Sequence, residues 1–228
     1  VLDLPSEKLH KIEVTVPNDG TRSRPRWVTV NKQIRSFDIA PNGKRALFDA
    51  RGDIFSVPAK HGAIRNLTHT SNAQEQYAAW SPNGKWVVYL TDSPGRNELA
   101  MRPANGSGKQ VILTHFKKGY FLNPVWSPGS DKIAFADNMQ RLWYLNIKDK
   151  KAVLIDQDKL SPISDYSWSP DGKWIAYSKV NKSGLPQIYF YNLDNHKISK
   201  ISTGIYADNE PLFSPNGKYL YFVSARHE

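Results

Sequence analysis

With 228 residues, of which 39% are apolar, 23% charged and 12% aromatic, the chain can bury a sizeable core, and its composition excludes a disordered chain, a coiled coil and a collagen-like repeat. No apolar run approaches the roughly 20 residues that cross a bilayer as a helix, so no membrane span is expected, and zero Cys excludes a disulfide scaffold, a thiolate metal site and a cysteine nucleophile. The net charge of +10 points to nucleic acid, an anionic surface or an ordinary solvated surface, depending on where the charges sit.

Residues 1–16 read as strand, turn (Pro5-Ser6-Glu7-Lys8), strand, and because the chain starts at Val1 instead of Met they are expected to belong to a cut or processed segment. Residues 17–34, with Arg22, Arg24, Pro25 and Arg26, read as a connector. One turn motif then recurs five times: Ala40-Pro41-Asn42-Gly43-Lys44, Ser81-Pro82-Asn83-Gly84-Lys85, Ser127-Pro128-Gly129-Ser130-Asp131-Lys132, Ser169-Pro170-Asp171-Gly172-Lys173 and Ser214-Pro215-Asn216-Gly217-Lys218. The prolines are spaced by 41, 46, 42 and 45 residues. Proline presets the second position of a tight turn, Asn or Asp tolerates the third, and Gly accepts positive φ at the exit, so each copy predicts a hairpin tip. Trp80, Trp126, Trp168 and Phe213 stand just before their turns, and Lys44, Lys85, Lys132, Lys173 and Lys218 read as equivalent rim positions.

After each turn comes a β-prone run: Ala46–Phe48, Trp86–Tyr89, Ile133–Phe135, Trp174–Tyr177 and Tyr219–Phe222. Third strands are expected at Ile54–Val57, Leu99–Met101, Leu142–Leu145 and Ile188–Tyr191, and fourth strands at Arg65–Thr68, Val111–Thr114, Val153–Ile155 and Lys200–Ser202. Four strands in roughly 44 residues, repeated, is the arithmetic of an all-β propeller of four-stranded antiparallel blades. The divisions are 35–70, 71–116, 117–158, 159–203 and an incomplete 204–228, giving four full blades plus a half-blade at each end. The two halves either pair to close a five-bladed ring or mark an open arc of a larger one, and an open arc, with apolar blade faces exposed, is expected to dimerise or aggregate. Bulky rings at repeat spacing read as packing between blades, not as a stacking row for a ligand.

Catalytic signatures are sparse. There is no G-x-S-x-G, H-E-x-x-H or Rossmann fingerprint, Gly106-Ser107-Gly108-Lys109 lacks the flanking residues of a phosphate loop, and no two of the six His stand at metal-ligand spacing. No catalytic residue, metal or cofactor is therefore assigned. The basic spots, Arg22 to Arg26, Lys117-Lys118 and the 148–151 turn, lack an interleaved stacking platform, so nucleic acid is not expected as a partner. What remains is the mouth of the central channel, ringed by the loops from each outer strand to the next inner strand. Gln76, Tyr120, Phe121, Asp165, Tyr206 and Asp208 lie there as candidate contacts for an extended peptide.

The runs Arg24-Pro25-Arg26-Trp27-Val28, Ser36 to Phe48 and Arg51-Gly52-Asp53-Ile54-Phe55-Ser56-Val57-Pro58-Ala59 resemble tricorn-type proteases, as do Ile64 to Thr68, Ala79 to Trp86, Asn123 to Pro128 and Ser164 to Pro170. The turn motif alone is shared with TolB-type and prolyl-oligopeptidase-type propellers. The resemblance implies large serine proteases with two N-terminal propellers ahead of a PDZ domain and a catalytic core, the propellers filtering unfolded peptides. On that reading residues 1–16 finish a first propeller and residues from about 30 begin a second, usually seven-bladed. PDZ and catalytic domains of the same parent chain become the expected partners, beside peptides and further copies. The family's catalytic Ser and His have no counterpart in this chain. The alternative is a TolB-like module that docks a protein partner, and the compartment, cytoplasmic or periplasmic, stays open. A third class, an enzyme gathering a metal and His from several blades, requires a spatial His cluster.

Overall fold

The structure, a computed structural model, describes residues 29–226 together with Leu2, Asp3, Ser6, Lys8, Leu9 and Glu13. Most of the 1–16 segment and of the 17–34 connector therefore lies outside the described residues. A short antiparallel pair, β1 (Leu2–Asp3) and β2 (Lys8–Leu9), flanks Ser6, so Lys8 is a strand residue and not part of the turn. A single 3-10 turn at Asn31–Gln33 leads into the first blade, and it is the one helical element among the described residues.

Eighteen further strands follow. The first blade holds β3 (Ile34–Ile39), β4 (Arg45–Ala50), β5 (Asp53–Pro58) and β6 (Arg65–Asn66). The second holds β7 (Glu75–Trp80), β8 (Trp86–Thr91), β9 (Glu98–Pro103) and β10 (Val111–Ile112). The third holds β11 (Phe121–Trp126), β12 (Lys132–Asp137), β13 (Arg141–Asn146) and β14 (Lys151–Gln157). The fourth holds β15 (Tyr166–Trp168), β16 (Trp174–Val180), β17 (Pro186–Asn192) and β18 (Ile198–Lys200). The fifth has two strands, β19 (Asp208–Phe213) and β20 (Leu220–Ser224). Every strand pairs antiparallel with its sequence neighbour, which is the blade meander of a β-propeller.

The recurring turns share one hydrogen-bond set. Ser81 Oγ accepts from Trp86 N at 2.9 Å and donates to Asn83 Oδ1 at 2.8 Å, and the same Oδ1 accepts from Lys85 N at 3.0 Å. Ser169 with Asp171, and Ser214 with Asn216, repeat the arrangement. The third turn differs from its expected alignment. Ser127 Oγ accepts from Lys132 N and donates to Asp131 Oδ1, so Lys132 stands where Trp86, Trp174 and Tyr219 stand, and Asp131 takes the lysine position. The left-handed residue is correspondingly Ser130 (φ +59) where the other copies place Gly43, Gly84, Gly172 and Gly217. The fourth strands also depart from expectation. In the fourth blade the tight turn after Asn192 pairs Tyr191 with Ile198, so the strand is Ile198–Lys200 and ends before Ile201.

The inner blades bury both faces against their neighbours. Trp80, Val87, Tyr89 and Ala100 on one face of the second blade meet Leu47, Ile54 and Leu67 of the first. Its other face, Val88, Leu90, Leu99 and Met101, meets Phe121, Trp126, Ile133 and Phe135 of the third. The tryptophans are mortar between blades: Trp126 Nε1 donates to the Ala79 carbonyl and Trp168 Nε1 to the Val125 carbonyl, each at 3.1 Å and each in the preceding blade. The two ends lack this cover. Phe37 is 71% exposed and Ile39 61% on the outward face of the first blade, and Leu212, Tyr219, Tyr221 and Val223 are exposed on the fifth. Among the described strands β20 has β19 as its one partner, so no pairing with β1 or β2 completes a five-bladed ring.

Candidate functional site

The first strands of three successive blades line a groove of about 430 Å³, with Phe37, Asp38, Tyr77, Ala79, Asn123 and Val125 among its lining. Each of these strands carries a bulge: the pairing register shifts between Ile34 and Ser36, between Gln76 and Ala79, and between Leu122 and Val125, and again in the fifth blade between Asn209 and Leu212. A bulge re-aims a side chain and often puts one residue in the left-handed region. Here those residues are Tyr77 (φ +54), Asn123 (φ +48) and Glu210 (φ +53). Bulky residues rarely adopt this conformation, and the strain is held by specific clamps. Asp49 Oδ2, from the preceding blade, accepts from Tyr77 N at 2.9 Å, and the Tyr166 hydroxyl, from the following blade, donates to the Asn123 carbonyl.

At the mouth, three blades are joined by one polar chain. Arg35 Nη1 donates to Gln76 Oε1 at 3.3 Å, and Gln76 Nε2 donates to the Tyr120 hydroxyl at 2.8 Å. Of the residues singled out from sequence, Gln76 and Tyr120 are thus brought together, with Gln76 buried and Tyr120 exposed. Phe121 is fully buried, packed on Phe116 and Phe135 with ring centroids 5.0 and 5.4 Å apart, and presents no surface to the channel. Asp165 is half-buried and accepts from the Ser178 and Ser164 hydroxyls. Tyr206 is exposed beneath the Arg226 guanidinium, 5.5 Å from its ring. Asp208 is fully buried, with Oδ1 accepting from Ser224 Oγ at 2.5 Å and Oδ2 without a partner among the described residues.

The bulge residues Tyr77, Asn123 and Glu210 escaped the sequence reading, although a signal for them exists. Each stands three residues before the blade's inter-blade ring at Trp80, Trp126 and Phe213, and Asp165 holds the same offset from Trp168. Among the described residues no group of three metal-ligating side chains converges, and no serine hydroxyl bonds a histidine. His69 and His115 are exposed, and the repeat at these positions is explained by Thr68 and Thr114, whose hydroxyls accept from Ile54 N and Leu99 N.

Two carboxylates beside the mouth are buried. Desolvation pushes Glu75 above the usual carboxylate range and Asp53 adds to it, against hydrogen bonds from Thr70, Thr68 and Thr91. Desolvation likewise raises Glu98, against a 2.5 Å bond from Thr114 and the charges of His115 and Arg96. An acid raised on folding takes up its proton earlier in the folded state. Its stabilisation is complete below the unfolded value and is lost as pH rises through the folded one. Glu75→Gln should therefore raise stability at pH 7 relative to pH 4.5 and flatten the difference between them, as read by urea unfolding at both. An unchanged pH slope in the variant would refute the assignment.

The family described as "Tricorn protease second beta propeller domain" matches residues 34–227. The chain belongs to that family. It is 27% identical over 225 residues to the tricorn protease homolog of Saccharolobus solfataricus, an alignment covering 99% of this chain and 20% of that protein. Among solved structures, the crystal structure of the tricorn protease superposes with a TM-score of 0.76 at 19% identity, over 96% of this chain and 21% of the other. A putative TolB from Agrobacterium tumefaciens superposes with a TM-score of 0.65 at 20% identity, covering 84% of this chain and 69% of that one, a likeness of fold. The chain thus spans about a fifth of the length of the tricorn homolog it matches.

Proposed function

We propose that the chain is a non-catalytic propeller segment of a tricorn-like serine peptidase that guides peptides along its channel wall. The observation that carries this reading is the groove on the first strands, where bulges hold Tyr77 and Asn123 in a left-handed conformation. Backbone strain repeated at one blade position and facing one groove is the pattern of a binding surface. Aromatic rings and peptide groups on such a wall suit an extended chain, whose side chains they contact without demanding a sequence. The chemistry of hydrolysis then belongs to parts of the parent outside this chain, which covers about a fifth of relatives named as proteases.

The test is fluorescence anisotropy with a fluorescein-labelled, unstructured decapeptide. Binding that weakens about tenfold in Phe37→Ala and Tyr77→Ala, with no cleavage of the probe by the chain alone, is the expected result. Equal affinity in the variants, cleavage by the purified chain, or capture of one folded partner with no affinity for the peptide would each overturn it. The last outcome would favour a TolB-like docking module.

A further inference from the structure

The third blade differs from the others at its rim. Its fourth strand, β14, runs for seven residues, whereas β6 and β10 have two each and β18 has three. Among the described strands, β14 pairs with β13 on one side and with none on the other. Ile147 N donates to the Asp131 carbonyl, which fixes the phase of the β12–β13 ladder. Hydrogen-bonded positions alternate along an antiparallel strand, so Asn146 and Tyr144 turn toward β14 and bond Lys151 and Val153. The N–H and C=O groups of Ala152 and the N–H of Leu154 then point outward, beyond the sheet, just before a bulge between Leu154 and Asp156. A long open edge is a template for another strand, and proteins usually shorten it or cover it. Here Leu154 is 44% exposed in its middle.

Beside this edge a cleft of about 600 Å³ opens between the third and fourth blades, lined by Tyr144, Val153, Tyr191, His196, Lys132, Lys151 and Asp149, whose Oδ1 accepts from Lys151 N at 3.0 Å. Its floor is a polar-aromatic cluster: the Tyr144 and Tyr191 rings lie 6.1 Å apart, and the Tyr191 hydroxyl meets His196 Nδ1 at 2.7 Å. The turn that leads into β14 is Lys148-Asp149-Lys150-Lys151. Lys150 is committed to the Ile112 carbonyl and Lys132 to Asp131, whereas Lys148 and Lys151 face no carboxylate within ion-pair distance among the described residues.

We propose that the open edge of β14 and this cleft dock an extended acidic and apolar peptide segment of a protein partner by strand addition. Main-chain bonds to Ala152 and Leu154 supply the register, alternate apolar side chains enter the cleft, and acidic side chains meet Lys148 and Lys151. This surface lies on the outer rim, so it stands apart from the channel reading and survives or fails separately.

The probe is a fluorescein-labelled octapeptide of alternating Glu and Val, with a Lys and Val octapeptide as counterpart. The acidic probe should bind, more weakly as salt rises, and the basic one should not. Leu154→Pro deletes one outward N–H while leaving the ladder to β13 intact, and should weaken binding at least tenfold. Lys148→Glu with Lys151→Glu should weaken it about fivefold and flatten the salt dependence without touching the backbone. Hydrogen exchange on the wild-type chain should show new protection at the Leu154 amide when the probe is bound. Undiminished affinity in both variants, protection confined to Tyr77 and the channel, or preference for an oligonucleotide over the acidic probe would overturn the proposal.

Discussion

Replacing Trp126 or Trp168 by Phe should cost about 1 kcal/mol more than the same replacement at Trp80. All three indoles are buried at the same repeat position. Trp126 and Trp168 donate to a carbonyl of the preceding blade, and loss of the donor removes the bond between blades while the Ala79 or Val125 oxygen keeps its ladder position opposite Val88 or Ala134. Among the described residues Trp80 Nε1 is buried without a partner, so Phe there removes an orphaned donor and offsets its lost volume. Trp126→Ala adds a cavity between two blades and should cost about 4 kcal/mol. Urea unfolding of the four variants decides the matter. Equal losses at the three Phe sites, or the largest loss at Trp80, would show that the indole bonds do not hold the blades.

That asymmetry also marks how far the sequence could be read. The Pro-Asn-Gly turns and the ring before each turn act locally, through fixed φ values and a four-strand period, so blade number and the packing role of Trp80, Trp126 and Trp168 are legible without coordinates. The third turn misleads because Gly129 and Asp131 exchange duties with their neighbours: Asp131 reaches Ser127 from two residues further on, and the lysine register slips by one. Fourth strands are short, and their pairing is decided by the turn after the third strand, which displaced the expected Lys200–Ser202 and lengthened β14. The bulges were invisible for a different reason. Nothing in the identity of Tyr77 or Glu210 favours positive φ; their conformation is imposed by partners in other strands and blades. Loop position singles out Gln76, Tyr120, Phe121 and Asp208 alike, yet Phe121 and Asp208 are fully buried, because inward and outward alternation at a strand start cannot be counted through a bulge.

Asp49 is where fold and channel meet, and Asp49→Ala should cost about 3 kcal/mol. Its carboxylate, buried on β4, accepts from Arg35 N and Ser36 N at 3.2 Å each, from Ser36 Oγ at 2.6 Å and from Tyr77 N at 2.9 Å. The first three close the bulge of its own blade, and the fourth holds the strained bulge of the next. Alanine leaves these backbone donors without an acceptor in a site that water does not fill cheaply, so the penalty is mainly desolvation, not lost attraction. Asp49→Asn keeps the volume and one acceptor, and should cost about half as much. Hydrogen exchange separates a general weakening from a local one. Protection at the Ser36 and Tyr77 amides should fall further than protection at the central strands, since these amides lose their own partner as well as global stability. A loss spread evenly over all strands, or Asp49→Ala within 1 kcal/mol of the native chain (a change of roughly fivefold in the folding equilibrium) would mean that other contacts hold Tyr77 in place.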